Sequence, residues 1–225
     1  MKGEMNMNQK KVFKIVGIIL VAIILLFLIY SLRNFLIVRD LRKRVAKYID
    51  SENFHVKTTI TKPEDISVLD YYKKGKRQAV FIERKNTAGE IMKISIYDTG
   101  ERIDTFTETN DSKTIKINHT GSLHASEVLD ILETDNLYQM ILCSSVAVIK
   151  SVKLNDTRCY KVKHYLSPNC SLSDPEKEFI IDKETGLLAK TILGDVENTR
   201  EYEFDNVDDA IFVEPDISQY TLVED

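Results

Sequence analysis

The sequence predicts a mainly β protein of the α+β class, carried on one N-terminal helix, and three observations support this. Eighteen residues from Ile15 to Leu32, IVGIILVAIILLFLIYSL, contain no charged side chain. From Phe54 onward the apolar period changes from helical to two, in short runs separated by turn signals. That series is interrupted once, by an apolar stretch of helical period around LYQMILCSSVAVI.

At 1.5 Å rise per residue, eighteen helical residues reach about 27 Å, close to the hydrocarbon thickness of a bilayer. Lys10, Lys11 and Lys14 precede the run as in a signal peptide, but it exceeds the usual apolar length and no small-x-small cleavage site follows. An uncleaved signal anchor over 15–32 is the first reading, ahead of a cleaved signal or a buried core helix. Residues 1–14 then form a short cytoplasmic terminus.

After the span, Val38, Leu41, Val45 and Tyr48 recur at three and four residues among Arg39, Arg42, Lys43, Arg44 and Lys47. The helix is expected to continue as a basic amphipathic stalk over 33–50, lying on headgroups, bracing the domain, or forming a weak dimer seam. The first fifty residues carry a net charge of +7 and the remainder −11. An acidic domain of this kind argues against nucleic acid as a partner. Counted literally, the basic stalk places residues 51–225 in the cytosol; large domains, however, cross membranes largely regardless of charge.

The runs FHVKTTITK, VLDYYKK, RQAVFIERK, EIMKISIYD, RIDTFTET and SKTIKIN read as an antiparallel meander. In the fourth, Met92, Ile94 and Ile96 share one face and Lys93, Ser95 and Tyr97 the other, so one side is expected to be dry and one wet. Ser126 caps a predicted short helix through Leu132. Asp135 caps a second helix from Asn136, with Leu137, Met140, Ile141, Ser144 and Val148 at helical spacing. Strands resume at VIKSVKL and CYKVKHY, where Tyr160, Val162 and His164 share a face and His164 reads as a core histidine. EFIIDKETGLLAKTIL reads as a hairpin in which Gly186 takes the left-handed conformation, and REYEF as a strand with Tyr202 and Phe204 on one face.

No GxSxG, HExxH, Walker A or GxGxxG motif occurs, and the domain has only six glycines, so an enzyme is not expected and no cofactor is implied. The three cysteines, Cys143, Cys159 and Cys170, lack CxxC spacing. Cys159 and Cys170 form a candidate disulfide, with free thiols the equal alternative. His119 and His124 lack a spaced third ligand, so no metal site is expected. Asp208, Asp209, Glu214 and Asp216 read as a solvated acidic loop, and Tyr71 and Tyr72 as strand packing.

A strand ending in IDKETGLLAK, then EYEF, then an asparagine-led loop closing on FVEPDISQY resembles the C-terminal part of extracytoplasmic proteins with the LolA lipoprotein-carrier fold. The likeness is to membrane-tethered, GerS-like members of Gram-positive spore-formers. It implies a strongly curved antiparallel sheet, a half-barrel with the helical insertion on an apolar concave face, and a domain outside the cytoplasm on a single-pass anchor in the cell membrane. It further implies an acyl chain, lipoprotein or apolar peptide held on that face. Met92, Ile94, Ile96, Tyr160, Val162, Tyr202 and Phe204 would line it from the strands, and Met140 and Ile141 from the helices. Because an anchored chain cannot shuttle, a non-catalytic cell-envelope interaction or structural protein, sporulation- or germination-linked and with a fully packed core, is the alternative.

Overall fold

The computed structural model describes residues 7–118, 137–164 and 177–223. It begins with α1 (Met7–Ile49), 43 residues and so about 65 Å of continuous helix. A first meander follows: β1 (Asn53–Thr61), β2 (Asp65–Lys74), β3 (Arg77–Asn86), β4 (Ile91–Asp98), β5 (Ile103–Glu108) and β6 (Lys113–Asn118). After α2 (Leu137–Val146) comes a second: β7 (Val148–Leu154), β8 (Thr157–Lys163), β9 (Glu178–Asp182), β10 (Leu188–Leu193) and β11 (Val196–Phe204). The short helix expected from Ser126 to Leu132 lies outside the described residues.

β11 pairs antiparallel with β1, which joins the two meanders into one curved, open sheet. With β12 (Thr221–Leu222) at one edge, its order is β12-β6-β5-β4-β3-β2-β1-β11-β10-β9-β8-β7. The last strand, β12, lies parallel to β6, so the sheet is mixed and not purely antiparallel as expected. To reach β6 from β11, the chain has to cross the five intervening strands β1 to β5 on the face opposite the helices.

That crossing corrects the expectation of one wet face. Ala79, Tyr97, Phe106 and Ile115 form a buried cluster there, with Ile211, Phe212 and Tyr220 of the returning tail packed on it. Polar residues pin the tail along the way. Asp209 pairs with Lys74 and Arg77, Arg102 donates to Glu214 at 3.1 Å, and the Tyr220 hydroxyl donates to Glu108. Asp208 and Asp216 cap two short 3-10 turns, accepting from the Ala210 and Ser218 amides. Asp208, Asp209 and Asp216 are exposed, as expected of a solvated loop, and each of the four carboxylates also has its own partner.

The other face carries α1 and α2. Val38 and Leu41 of α1 are buried with Met140, Cys143 and Ala147 against Ile149, Val162, Phe179, Ile181 and Leu188. One turn further along, Val45 joins Phe54, Val56, Tyr71, Val80 and Leu187. The apolar stripe of the basic stalk therefore braces the domain from within, since each such side chain contributes about 1.5–3 kcal/mol when buried. Asn34, fully buried, donates from Nδ2 to the Ala147 and Ser144 carbonyls at 2.7 and 3.3 Å, which satisfies the C-terminal end of α2.

Two local expectations differ. Val148 opens β7 and is not part of α2, because the helix stops at Val146. His164 is exposed with φ 55°, one residue past the end of β8, so it leaves the strand face it was assigned to.

Candidate functional site

Register across the first meander places side chains of the helix-bearing face in rows. One row runs Phe204, Phe54, Lys73, Gln78, and the next Tyr202, Val56, Tyr71, Val80, Ile96. Both lie under the last turns of α1, where Tyr48 and Ile49 pack. The third row, Leu69, Ile82 and Ile94, lies one step farther from α1 and is half-buried. Beyond it the row through Met92 meets Arg84 and Ser67. Thr105, Thr107 and Thr114 on β5 and β6 border this apolar strip.

The helix-bearing face is therefore of two kinds. Over β7–β10 it is sealed by α1 and α2; over β2–β4 an apolar row remains partly open. Met92, Ile94 and Ile96 follow one another along β4 at the open strip, whereas Tyr202 and Phe204 sit on β11 at the far end of the first two rows, packed with Ile96 on the cluster under Tyr48. Val162 and Met140 instead sit in the sealed cluster, and Tyr160 packs at its margin. Ile141 points away from the sheet, to the exposed side of α2. Leu69 and Ile82 complete the strip and were not singled out from sequence; the alternation in VLDYYKK and RQAVFIERK carried that signal.

A cleft of about 390 Å³ opens at the sheet end beside the last turn of α1, lined by Tyr48, Leu187, Ala189, Arg200, Tyr202 and Phe204 among others. That volume is in the range of sites that hold small ligands. The Tyr202 hydroxyl donates to the Leu188 carbonyl at 2.9 Å. Burial raises its pKa, opposed by the neighbouring Arg200, so it remains a neutral donor at physiological pH. Deeper in the sheet, burial and then Asp98 push the Tyr71 hydroxyl up, and it donates to Gln78.

The remaining chemistry-bearing groups are apart from this strip. Among the described residues, no three His, Cys, Asp or Glu side chains come together as a metal site. Cys143 and Cys159 are buried, and burial raises the pKa of both thiols, which makes them poor nucleophiles. Cys170, the candidate partner of Cys159, lies outside the described residues, as do His119 and His124. His55, passed over in the sequence, lies on the opposite face 2.7 Å from Asp70 and stacked on Tyr72, a cross-strand pairing.

No protein-family model matches the chain, and no characterised protein matches it by sequence. Solved structures similar to it include the MucA/MucB complex of Pseudomonas aeruginosa, at 11% identity and a TM-score of 0.35, over 79% of this chain and 61% of that one. The chain thus spans about three-fifths of that structure's length. A LolA superfamily protein from Nitrosomonas europaea is similar at 11% identity and a TM-score of 0.27, over 77% and 97% of the two chains. A DUF1329 family protein from Desulfovibrio piger is similar at 12% identity and a TM-score of 0.27, over 82% and 97%. At such identities no functional residue of these proteins carries over to this chain.

Proposed function

We propose that this chain is a membrane-anchored, extracytoplasmic, non-catalytic module that binds an apolar ligand, an acyl chain or an apolar peptide, on the helix-bearing face of its sheet. The observation that carries the reading is the half-buried row Leu69, Ile82 and Ile94, continuous with the packed core yet not sealed by it. A ligand covering roughly 300 Å² of apolar surface there gains about 7 kcal/mol before the cost of its own ordering, so affinity is micromolar or weaker. Threonines along β5 and β6 add hydroxyls that orient the polar end of such a ligand. The anchor is the apolar part of α1, long and apolar enough to cross a membrane.

The test is photocrosslinking of a diazirine fatty acid to the full chain in nanodiscs, with the labelled peptides mapped. Saturable labelling of β2–β4 supports the reading; labelling of α1 alone overturns it. Sidedness is tested separately. A cysteine at Asn155, in the exposed β7–β8 turn, is labelled by an impermeant maleimide on intact cells above the wild-type level. Labelling only after lysis would reverse the orientation.

The sealed half of the face favours the second reading, an envelope interaction protein with a packed core. Absence of acyl labelling anywhere on the sheet selects it.

A further inference from the structure

α2 has the sequence LYQMILCSSV, without a charged residue. Met140, Cys143 and Ser144 face inward and are buried. The opposite side presents two ridges at i, i+4 spacing, one with Leu137 and Ile141, the other with Tyr138, Leu142 and Val146. These five side chains are 44–73% exposed. A helix apolar on both sides is normally covered on both. Here, among the described residues, nothing covers half of it.

What covers it follows from where α2 is held. The Ala147 carbonyl, one residue past the helix, accepts from the Tyr30 hydroxyl at 2.8 Å and from Asn34 Nδ2 at 2.7 Å. Tyr30 and Asn34 bracket the end of the uncharged run that closes at Leu32, the level where hydrocarbon gives way to headgroups. A tyrosine is the residue type favoured at that level. α1 exposes Leu32 and Leu36 nearby, with Arg33 between them, placed to reach lipid phosphates. The bare ridges of α2 therefore begin from a point pinned at the bilayer boundary.

We propose that the outward face of α2 inserts into the headgroup–acyl boundary of the membrane that α1 spans. Leu137, Ile141, Leu142 and Val146 enter the acyl layer, and Tyr138 keeps its hydroxyl among the headgroups. The domain is then seated against the bilayer at two places. The inference rests on the reading of α1 as a membrane anchor, and the experiment separates failure of one from failure of the other.

The chain contains no tryptophan, so single-tryptophan variants report depth directly. Leu142→Trp, Leu25→Trp and Ile66→Trp are reconstituted as full chains in phosphatidylcholine/phosphatidylglycerol vesicles bearing brominated acyl chains. Ile66 is an exposed residue of the sheet and serves as the aqueous control. Leu25→Trp is expected to be quenched by deep bromines and Leu142→Trp by shallow ones, losing about half its emission or more with a blue shift, while Ile66→Trp is unchanged. Tyr138→Trp, an aromatic exchange at the most exposed position, repeats the measurement if Leu142→Trp folds poorly. Quenching at Leu25→Trp with none on α2 overturns the proposal and leaves the anchor standing. Absence of quenching at both removes the anchor and the proposal together. A blue shift on α2 without quenching means that protein, such as a second copy, covers the helix, and also overturns it.

Discussion

Gly186 lies against the backbone of Leu41: a Cβ on this glycine would fall on the Leu41 carbonyl oxygen, with the Val45 nitrogen 3.0 Å away. Its φ is +78°, so the turn between β9 and β10 needs glycine both for its own conformation and for its approach to α1. The obstacles are helix backbone, which cannot rotate aside. Gly186→Ala is expected to destabilise the chain by about 3 kcal/mol or more, combining strain and overpacking. Gly194, at φ +55° with open space around it, is the control, and Gly194→Ala should cost only about 1 kcal/mol. Equal thermal midpoints for the two variants would show that the turn does not dock on the helix.

Asn34→Leu tests the second clamp between α1 and the domain. The substitution keeps the volume but withdraws the Nδ2 donor from Ala147 and Ser144, whose carbonyls close α2. Tyr30 still donates to the Ala147 carbonyl and the Ala147 amide to that of Ser144, so loss of the Nδ2 hydrogen bonds costs about 1 kcal/mol. The expected result is a lowered midpoint and faster hydrogen exchange confined to α2. Uniformly faster exchange over the whole sheet would point to general loss of packing instead.

The long apolar helix, its amphipathic continuation and the strands were legible because each declares itself within ten or so residues. An uncharged run, a three-and-four spacing and an alternation of two are all local patterns. The left-handed Gly186 was legible for the same reason, from DKETG before an apolar strand. What was not legible depends on contacts far apart in the chain. Tyr97 looks like a wet-face residue until Phe106 and Tyr220, 114 positions apart in sequence, meet at 5.0 Å on the same side of the sheet. Asp209 is exposed as its sequence suggests, but its pairing with Lys74 and Arg77 is signalled by nothing near it. Of the site, the row position of Ile94 could be read from its own strand. The sealing of Val162 under α1 could not, since nothing near Val162 signals that Val38 and Leu41 lie above it.

The tail should loosen at both ends of the pH scale. The Glu108 pKa is held below its usual 4.5 chiefly by the hydrogen bond from Tyr220 and next by Lys113, and Asp209 is lowered by Lys74 and Arg77. A carboxylate lowered in the folded state stabilises it above the unfolded value, and that contribution is lost as pH falls from about 4.5 through the folded values. The Tyr220 hydroxyl is raised from 10.0 to about 12, by burial and then by Glu108. Its contribution is complete below pH 10 and is lost as pH rises toward about 12. Tyr220→Phe should lower stability at neutral pH by about 1 kcal/mol or less and flatten its fall below pH 4.5, because Glu108 moves back toward its unfolded value. A midpoint-versus-pH profile that superposes on wild type would mean that Tyr220 does not fasten β12.

The sharpest test of the apolar face compares one carboxylate at two positions. Val162 is fully buried in the cluster sealed by α1 and α2. An aspartate there finds neither water nor a cation, so Val162→Asp should cost several kcal/mol and leave little folded chain. Ile94 lies in the half-open row, flanked by Ile82 on one strand and Thr107 on the other. Water reaches that position, so Ile94→Asp should fold, at a cost of about 1–2 kcal/mol, yet repel an acyl chain that crosses the row. The expected pair of results is misfolding of Val162→Asp, and a folded Ile94→Asp whose crosslinking to the diazirine fatty acid falls several-fold. Should Ile94→Asp fail to fold as completely as Val162→Asp, the row is sealed in solution and the packed-core interaction protein becomes the better account. Should it fold and bind the fatty acid as wild type does, the ligand lies elsewhere, and the 390 Å³ cleft beside Tyr48 and Phe204 is the next place to look.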